Sequence, residues 1–365
     1  MNGIALLKNK RGSVLVSVAV AILALFAFAV LAIDGALLLT TRTQLHNAAD
    51  AAALAGASGL LEGSEGTATQ RAIDFASYNT AVQETRVPVL ITPADVTFPE
   101  PDVIRVTTHR TEATGDALRT YFRKVISPFT SANVTATSAA RIYDVCHTKC
   151  LRPWAIPDRW DDANGNSQWD DGEAYDPEGT GYIAPVDVGT PITLKVGNPH
   201  EAIEPGIFYP INFPPLNNEE GDKPLTGGDW YRQWIHDCEP FIVGVGDELQ
   251  LEPGNMVGPT KLGMQELIAQ DPSAQWDPVS KTIINSTFGV SPRIGLVPFF
   301  DPTLPPVSGR NSVFVTKIGA FFIESVSSGG DVFGYFMQIT VQGRPCEESG
   351  MGTGTALVRG ISLIE

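Results

Sequence analysis

Between Ser13 and Ile33 the chain has no charged side chain, and from Leu37 to Leu61 it has no proline. The first absence removes what bars a segment from hydrocarbon, and the second removes the strongest helix breaker. Basic residues are scarce, 25 Lys and Arg against 41 Asp and Glu, for a formal net charge of -16. Lys8, Lys10 and Arg11 are the only charged side chains before Asp34, so the remainder is more acidic still. That balance argues against nucleic acid and anionic lipid as partners, because both would be repelled. Catalytic signatures are missing as well: there is no G-x-S-x-G, H-E-x-x-H, G-x-x-x-x-G-K-[ST] or D-x-S-x-S. The five histidines, at 46, 109, 147, 200 and 236, are scattered. The glycine-rich run GMGTGTA at 350–356 lacks the strand-to-helix setting of a dinucleotide loop and reads as a turn. A non-catalytic protein is expected.

What is present begins with the apolar run SVLVSVAVAILALFAFAVLAI, Ser13 to Ile33, which as a helix spans about 31 Å and matches a bilayer core. Three basic residues precede it and Asp34 follows, so the short N-terminus is expected in the cytoplasm and the remainder outside. A cleaved signal peptide is the rival reading, with AFA at 27–29 as a small-x-small site. The apolar length, continuing through GALLL at 35–39, favours a retained anchor. Alanine is the best helix former, so the rod is predicted to continue through QLHNAADAAALAGA at 44–57 until Gly59 and EGSEG at 62–66 end it. Ala49, Ala53 and Ala57 form a small-residue ridge at i, i+4 and i+8. Two occupants are open for that ridge: a helix of another protein, or the chain's own globular part.

The segment RGSVLVSVAVAILALFAFAVLAIDGALLLTTRTQLHNAADAAALAGA, Arg11 to Ala57, resembles the N-terminus of the TadE/TadG-like proteins of bacterial tight-adherence (Flp) pilus assembly. The resemblance covers the RG before the span, the Asp-Gly at its outer end and the ADAAALAGA run. It implies a pilus-associated envelope protein of the bacterial inner membrane, single-pass, with its C-terminal domains in the periplasm or at the cell surface. Other pilus-assembly or envelope proteins would be its partners, through the N-terminal helix. Pilin-type processing sites carry glutamate at the fifth position after the glycine, where this chain has Ser17, which leaves processing after Gly12 open. EPGNMVGPTKLG at 252–263 also resembles a segment of the large outer domains of TadG-related proteins, and its default reading is a turn beneath a helix.

The expected fold class is α+β. It comprises a cytoplasmic stub (1–12), a transmembrane helix (13–33), a helical stalk (34–61), a small α+β domain (62–145) and a β-rich, sandwich-like or barrel-like domain (146–365). In the small domain, helices are predicted for ATQRAIDFASYN and DALRTYFRKVI and strands for DVTFP, DVIRVTTHRT and NVTATSAARIY. In the large one, PITLKV, IFYPINF, FIVGV, RIGLVPFF, VFVTKIGAFFIESV and VFGYFMQITV read as strands, and KLGMQELIA alone reads as a helix.

All four cysteines, Cys146, Cys150, Cys238 and Cys346, lie in the region placed outside, so two disulfides are expected. CHTKC with His147 has neither the spacing nor the second ligand pair of a zinc site. A cation signature does occur in DANGNSQWDDGE. As a twelve-residue calcium loop it offers Asp162 at position 1, Asn164 at 3, Asn166 at 5, the Gln168 carbonyl at 7, Asp170 at 9 and Glu173 at 12. Position 6 is Ser167 rather than glycine, with Gly165 nearby to supply the bend. The competing reading is a solvated acidic turn with Trp160 and Trp169 beneath it. The functional expectation is pilus assembly or surface display. The alternatives are a calcium-stabilised surface adhesin outside any pilus machine or, with less support, a secreted hydrolase.

Overall fold

The computed structural model describes residues 11–61, 64–82, 85–120, 131–184, 186–198, 201–254, 256–306, 311–346 and 356–364. The chain divides into two compact units: Met1–Ile142 with Ser362–Glu365, and Tyr143–Ile361.

The first unit begins with helix α1, Arg11–Leu60, an unbroken 50-residue rod. Its two halves differ in environment. Val14, Leu15, Leu23, Phe26 and Phe28 are exposed, whereas Leu45, Ala48, Ala49, Ala52, Ala53 and Ala57 are fully buried. Helix α2, Glu65–Tyr78, starts at Ser64, whose hydroxyl accepts the Thr67 amide at 3.0 Å and satisfies one orphan donor of the first turn. Its buried face, Ala68, Ala72 and Ala76, repeats the spacing of the α1 ridge and packs on α1. The approach is so close that a Cβ on Gly59 would stand 2.7 Å from Ala68 Cα, and one on Gly56 2.3 Å from Ile104 Cδ1. Of the two occupants open for the ridge, the chain's own fold takes the place.

Seven strands follow: β1 (Thr80–Val82), β2 (Arg86–Pro88), β3 (Val96–Glu100), β4 (Val103–Arg110), β5 (Leu118–Arg119), β6 (Ser131–Ala132) and β7 (Val134–Thr148), which from Tyr143 on belongs to the second unit. β4 pairs antiparallel with β3 on one side and with residues 134–141 of β7 on the other. Val103, Ile104, Val106 and Thr108 of β4 are buried, and the Thr108 hydroxyl donates to the Leu45 carbonyl at 2.9 Å, stitching sheet to helix. Arg110 is also buried; it pairs with Asp116 at 2.8 Å and donates to the carbonyls of Val87 and Pro88. The helix expected over 116–126 is corrected in its described part. Asp116 is tied to Thr111, Thr114 and Arg110, and Leu118 is buried in β5, which pairs with β6. Residues 121–126 lie outside the described residues.

In the second unit the strands are β8 (Trp154–Pro157), β9 (Pro191–Val196), β10 (Ile207–Pro210), β11 (Val243–Gly244), β12 (Glu248–Gln250), β13 (Gln275–Asp277), β14 (Thr282–Ile284), β15 (Ile294–Phe300), β16 (Ser312–Val326), β17 (Val332–Phe336), β18 (Ile339–Thr340), β19 (Arg344–Pro345) and β20 (Val358–Ile364). Six of them close a ring, β16-β15-β8-β10-β9-β17, with β17 returning to pair with β16. Closure removes the free edges a sandwich would keep, so the β-rich region is built on a barrel. Along β16, Ile318, Ala320 and Phe322 enter one buried cluster while Phe321 and Ile323 enter another, which is why this strand reads as a continuous apolar run.

Two helices contribute Tyr231, Ile235, Met264 and Leu267 to the second cluster. One, α4 (Val257–Gln270), contains the expected helical stretch; the other, α3 (Gly228–His236), was not expected. Its signal was the spacing of Tyr231, Trp234 and Ile235, hidden by the short length and the glycines at its start. Cys146 is bonded to Cys346 and Cys150 to Cys238, so both bridges lie within this unit and no free cysteine remains among the described residues.

Candidate functional site

The twelve-residue loop is closed at its base by an antiparallel bridge between Asp161 and Ala174. Within it, Asp162 organises the turn: Oδ1 accepts the amides of Gly165 (2.8 Å) and Asn166 (3.2 Å), and Oδ2 that of Ser167 (2.8 Å). Asn164 and Asn166 each accept an amide two residues on, at 2.9 and 2.7 Å. Both aim their amide groups at one oxygen, Asp170 Oδ2, at 2.7 and 2.6 Å. Glu173 Oε2 accepts the Asp170 amide at 3.1 Å, while its Oε1 is buried with no hydrogen-bond partner among the described residues. Positions 1, 3, 5, 9 and 12 are thus linked through one small network. Gln168 is tied outward instead, its side-chain amide donating to Glu204 at 3.0 Å.

The bend is made at Gly165 (φ 72°) and at Ser167 itself (φ 59°), a left-handed conformation that costs a serine about 1–2 kcal/mol. Trp160 and Trp169 meet edge to face at 5.8 Å below the loop, and the Trp169 amide donates to Ile203. Among the described residues no three His, Cys, Asp or Glu side chains converge as a metal cluster. The loop's donor set is instead carboxylate and amide oxygen. Oxygens of that kind suit a hard cation such as calcium, and the orphaned Glu173 oxygen is the donor such an ion would engage.

Other charged groups are structural in setting. Asp158 is fully buried and pairs with Lys317 at 2.8 Å; burial pushes its carboxyl up against the opposing pull of the lysine. Glu239 is also fully buried, accepting the amides of Leu151 (3.0 Å) and Phe241 (2.6 Å), and burial pushes it to about 7. Arg152 gives its protons to the carbonyls of Ile235, Asp237 and Pro292, and burial lowers it to about 10. The sequence held no sign of these sites, because each partner set includes a segment far away in the chain. Cys146 and Cys150, the possible zinc pair, belong to different disulfides.

No curated protein and no solved structure matches the chain. One family model does, over residues 12–59, which are the exposed apolar stretch of α1 together with its buried alanine face. That model is the Tad family, described as Flp pilus-assembly TadE/G-like, and the N-terminal segment of this chain is therefore TadE/G-like.

Proposed function

We propose that this protein is a non-catalytic, single-pass component of the bacterial inner membrane that serves tight-adherence (Flp) pilus assembly or surface display, with both units outside the cytoplasm. The observation that carries the reading is the division of α1. Its Tad-like segment is bare and apolar for about a bilayer thickness from Val14, then becomes core helix of the first unit. Ala49, Ala53 and Ala57 are occupied by the chain's own fold, so the surface this reading assigns to partner helices is the exposed apolar half of α1. Calcium at Asp162, Asn164, Asn166, Gln168, Asp170 and Glu173 is the second part of the proposal, supported by the all-oxygen donor set and the unpartnered Glu173 Oε1.

The test uses the full chain in its host. Protease added to intact spheroplasts should digest the region after residue 34, and detergent extracts should carry pilus-assembly proteins along with the tagged chain. Protection of that region, or recovery of the chain with no pilus component, overturns the reading.

A further inference from the structure

The chain carries a formal net charge of -16, yet one cavity of the second unit, about 530 Å³, is walled by three basic side chains and by no carboxylate among the described residues. The three are His147, Lys149 and Arg344. His147 of β7 pairs with Arg344 of β19 on one side and with Gly244 of β11 on the other. Residues directly opposite in an antiparallel pair point to one face, so the imidazole and the guanidinium are set side by side. Gly244 leaves room for the ring: a Cβ there would stand 2.0 Å from His147 Cδ2. Lys149 follows just past the end of β7 at Thr148. The segments bearing these cations are crosslinked by Cys146–Cys346 and Cys150–Cys238, so little order is left for a ligand to impose. Neither Lys149 nor Arg344 forms an ion pair among the described residues, although Glu239 acts on Lys149 through space. His147 Nδ1 is buried with no hydrogen-bond partner among the described residues. In the neutral ring an orphaned N–H at that position is costly, so the proton belongs on Nε2, as a donor.

We propose that this cavity binds an organic carboxylate carried on an apolar body. The fork of Arg344 matches the two oxygens of a carboxylate, and Lys149 adds charge without demanding one fixed geometry. The rest of the wall includes Ile242, Leu296 and Val341, and Ile242 is 42% exposed, an apolar surface that the body of such a ligand covers. Inorganic phosphate would satisfy the cations and leave that surface wet. An amine would be repelled. An adjoining cavity of about 410 Å³ shares His147, Lys149 and Arg344 but adds Glu219, Glu220 and Asp247, so a carboxylate is favoured in the first and opposed in the second. The volume lies within the range usual for small-molecule sites, about 300–1,000 Å³.

The test is ligand-observed NMR on the full chain in lipid nanodiscs, with empty nanodiscs as the blank. The probes are benzoate, phenylacetate and hexanoate; benzylamine, benzamide and inorganic phosphate are the comparators. At least one carboxylate should bind saturably, and Arg344→Gln should weaken it about tenfold. Lys195→Gln removes the same charge from an exposed position on β9 that does not line the cavity, and should leave binding unchanged. If Arg344→Gln fails to fold, Lys149→Gln, at another exposed position, decides in its place. The proposal is overturned if no carboxylate saturates below about 50 mM, if benzylamine, benzamide or phosphate binds in preference, or if the cavity variant binds as the wild type or as Lys195→Gln does.

Discussion

Glu239 holds its carboxylate in the interior of the second unit against two backbone amides, next to the Cys150–Cys238 bridge. Its ordinary value of 4.5 is raised to about 7 by burial, so between those limits the folded chain keeps a proton that the unfolded chain has released. Folding stability from this group therefore falls as pH rises from about 4.5 to 7, by about 3 kcal/mol in all, and stays low above that. Urea unfolding of the wild type and of Glu239→Gln at pH 5 and pH 8 checks this: the wild type should lose that increment and the variant should not. The site is illegible in the sequence. Nothing in CEPF at 238–241 distinguishes a buried glutamate from a solvated one until Leu151 is brought to it.

At the scale of elements, α1 was the most legible. Periodicity and alanine content predict one rod, and one rod is found. Which helix meets the ridge depended on where α2 lands, a tertiary matter. The close contact makes a paired prediction. Gly59→Ala should destabilise the first unit by about 1–3 kcal/mol through overpacking against Ala68, whereas Gly35→Ala, with nothing within 4 Å, should gain up to about 1 kcal/mol of helix propensity. Urea unfolding of the detergent-solubilised chain separates the two. In the loop, calcium should bind only the folded form, raising stability by roughly 2.7 kcal/mol at a hundredfold excess over its dissociation constant. Melting with millimolar calcium and again with chelator measures this, with Trp169 fluorescence as a local reporter. Glu173→Gln should remove the difference, because Glu173 Oε1 is the carboxylate oxygen left without a partner. Equal melting in both buffers means a solvated turn.

For the molecule as a whole, covalent and noncovalent closure coincide in the second unit. The Cys146–Cys346 bridge joins residues 200 apart in sequence, and the barrel closes through β17 and β16. Loss of a native disulfide costs about 2–5 kcal/mol, chiefly by releasing the unfolded chain. Mass spectrometry without reductant should find no free thiol, and Cys146→Ala with Cys346→Ala should lower the urea midpoint by that increment. Four alkylatable thiols in the native protein would contradict both bridges.

Local chemistry was enough for whatever depends on neighbours in sequence. It determined the uncharged run from Ser13 to Ile33, the helix that continues from it, the strands PITLKV and RIGLVPFF, and the spacing of oxygen donors from Asp162 to Glu173. Helix propensity, strand alternation and loop chemistry act over a few residues, so they are written there. Only the tertiary structure decided what fills the alanine ridge, that the strands close into a barrel, and which cysteines pair. Each of those is a contact between segments far apart in the chain. Strand pairing and close packing choose among many such contacts by their combined burial and hydrogen bonding, and no single segment carries that sum.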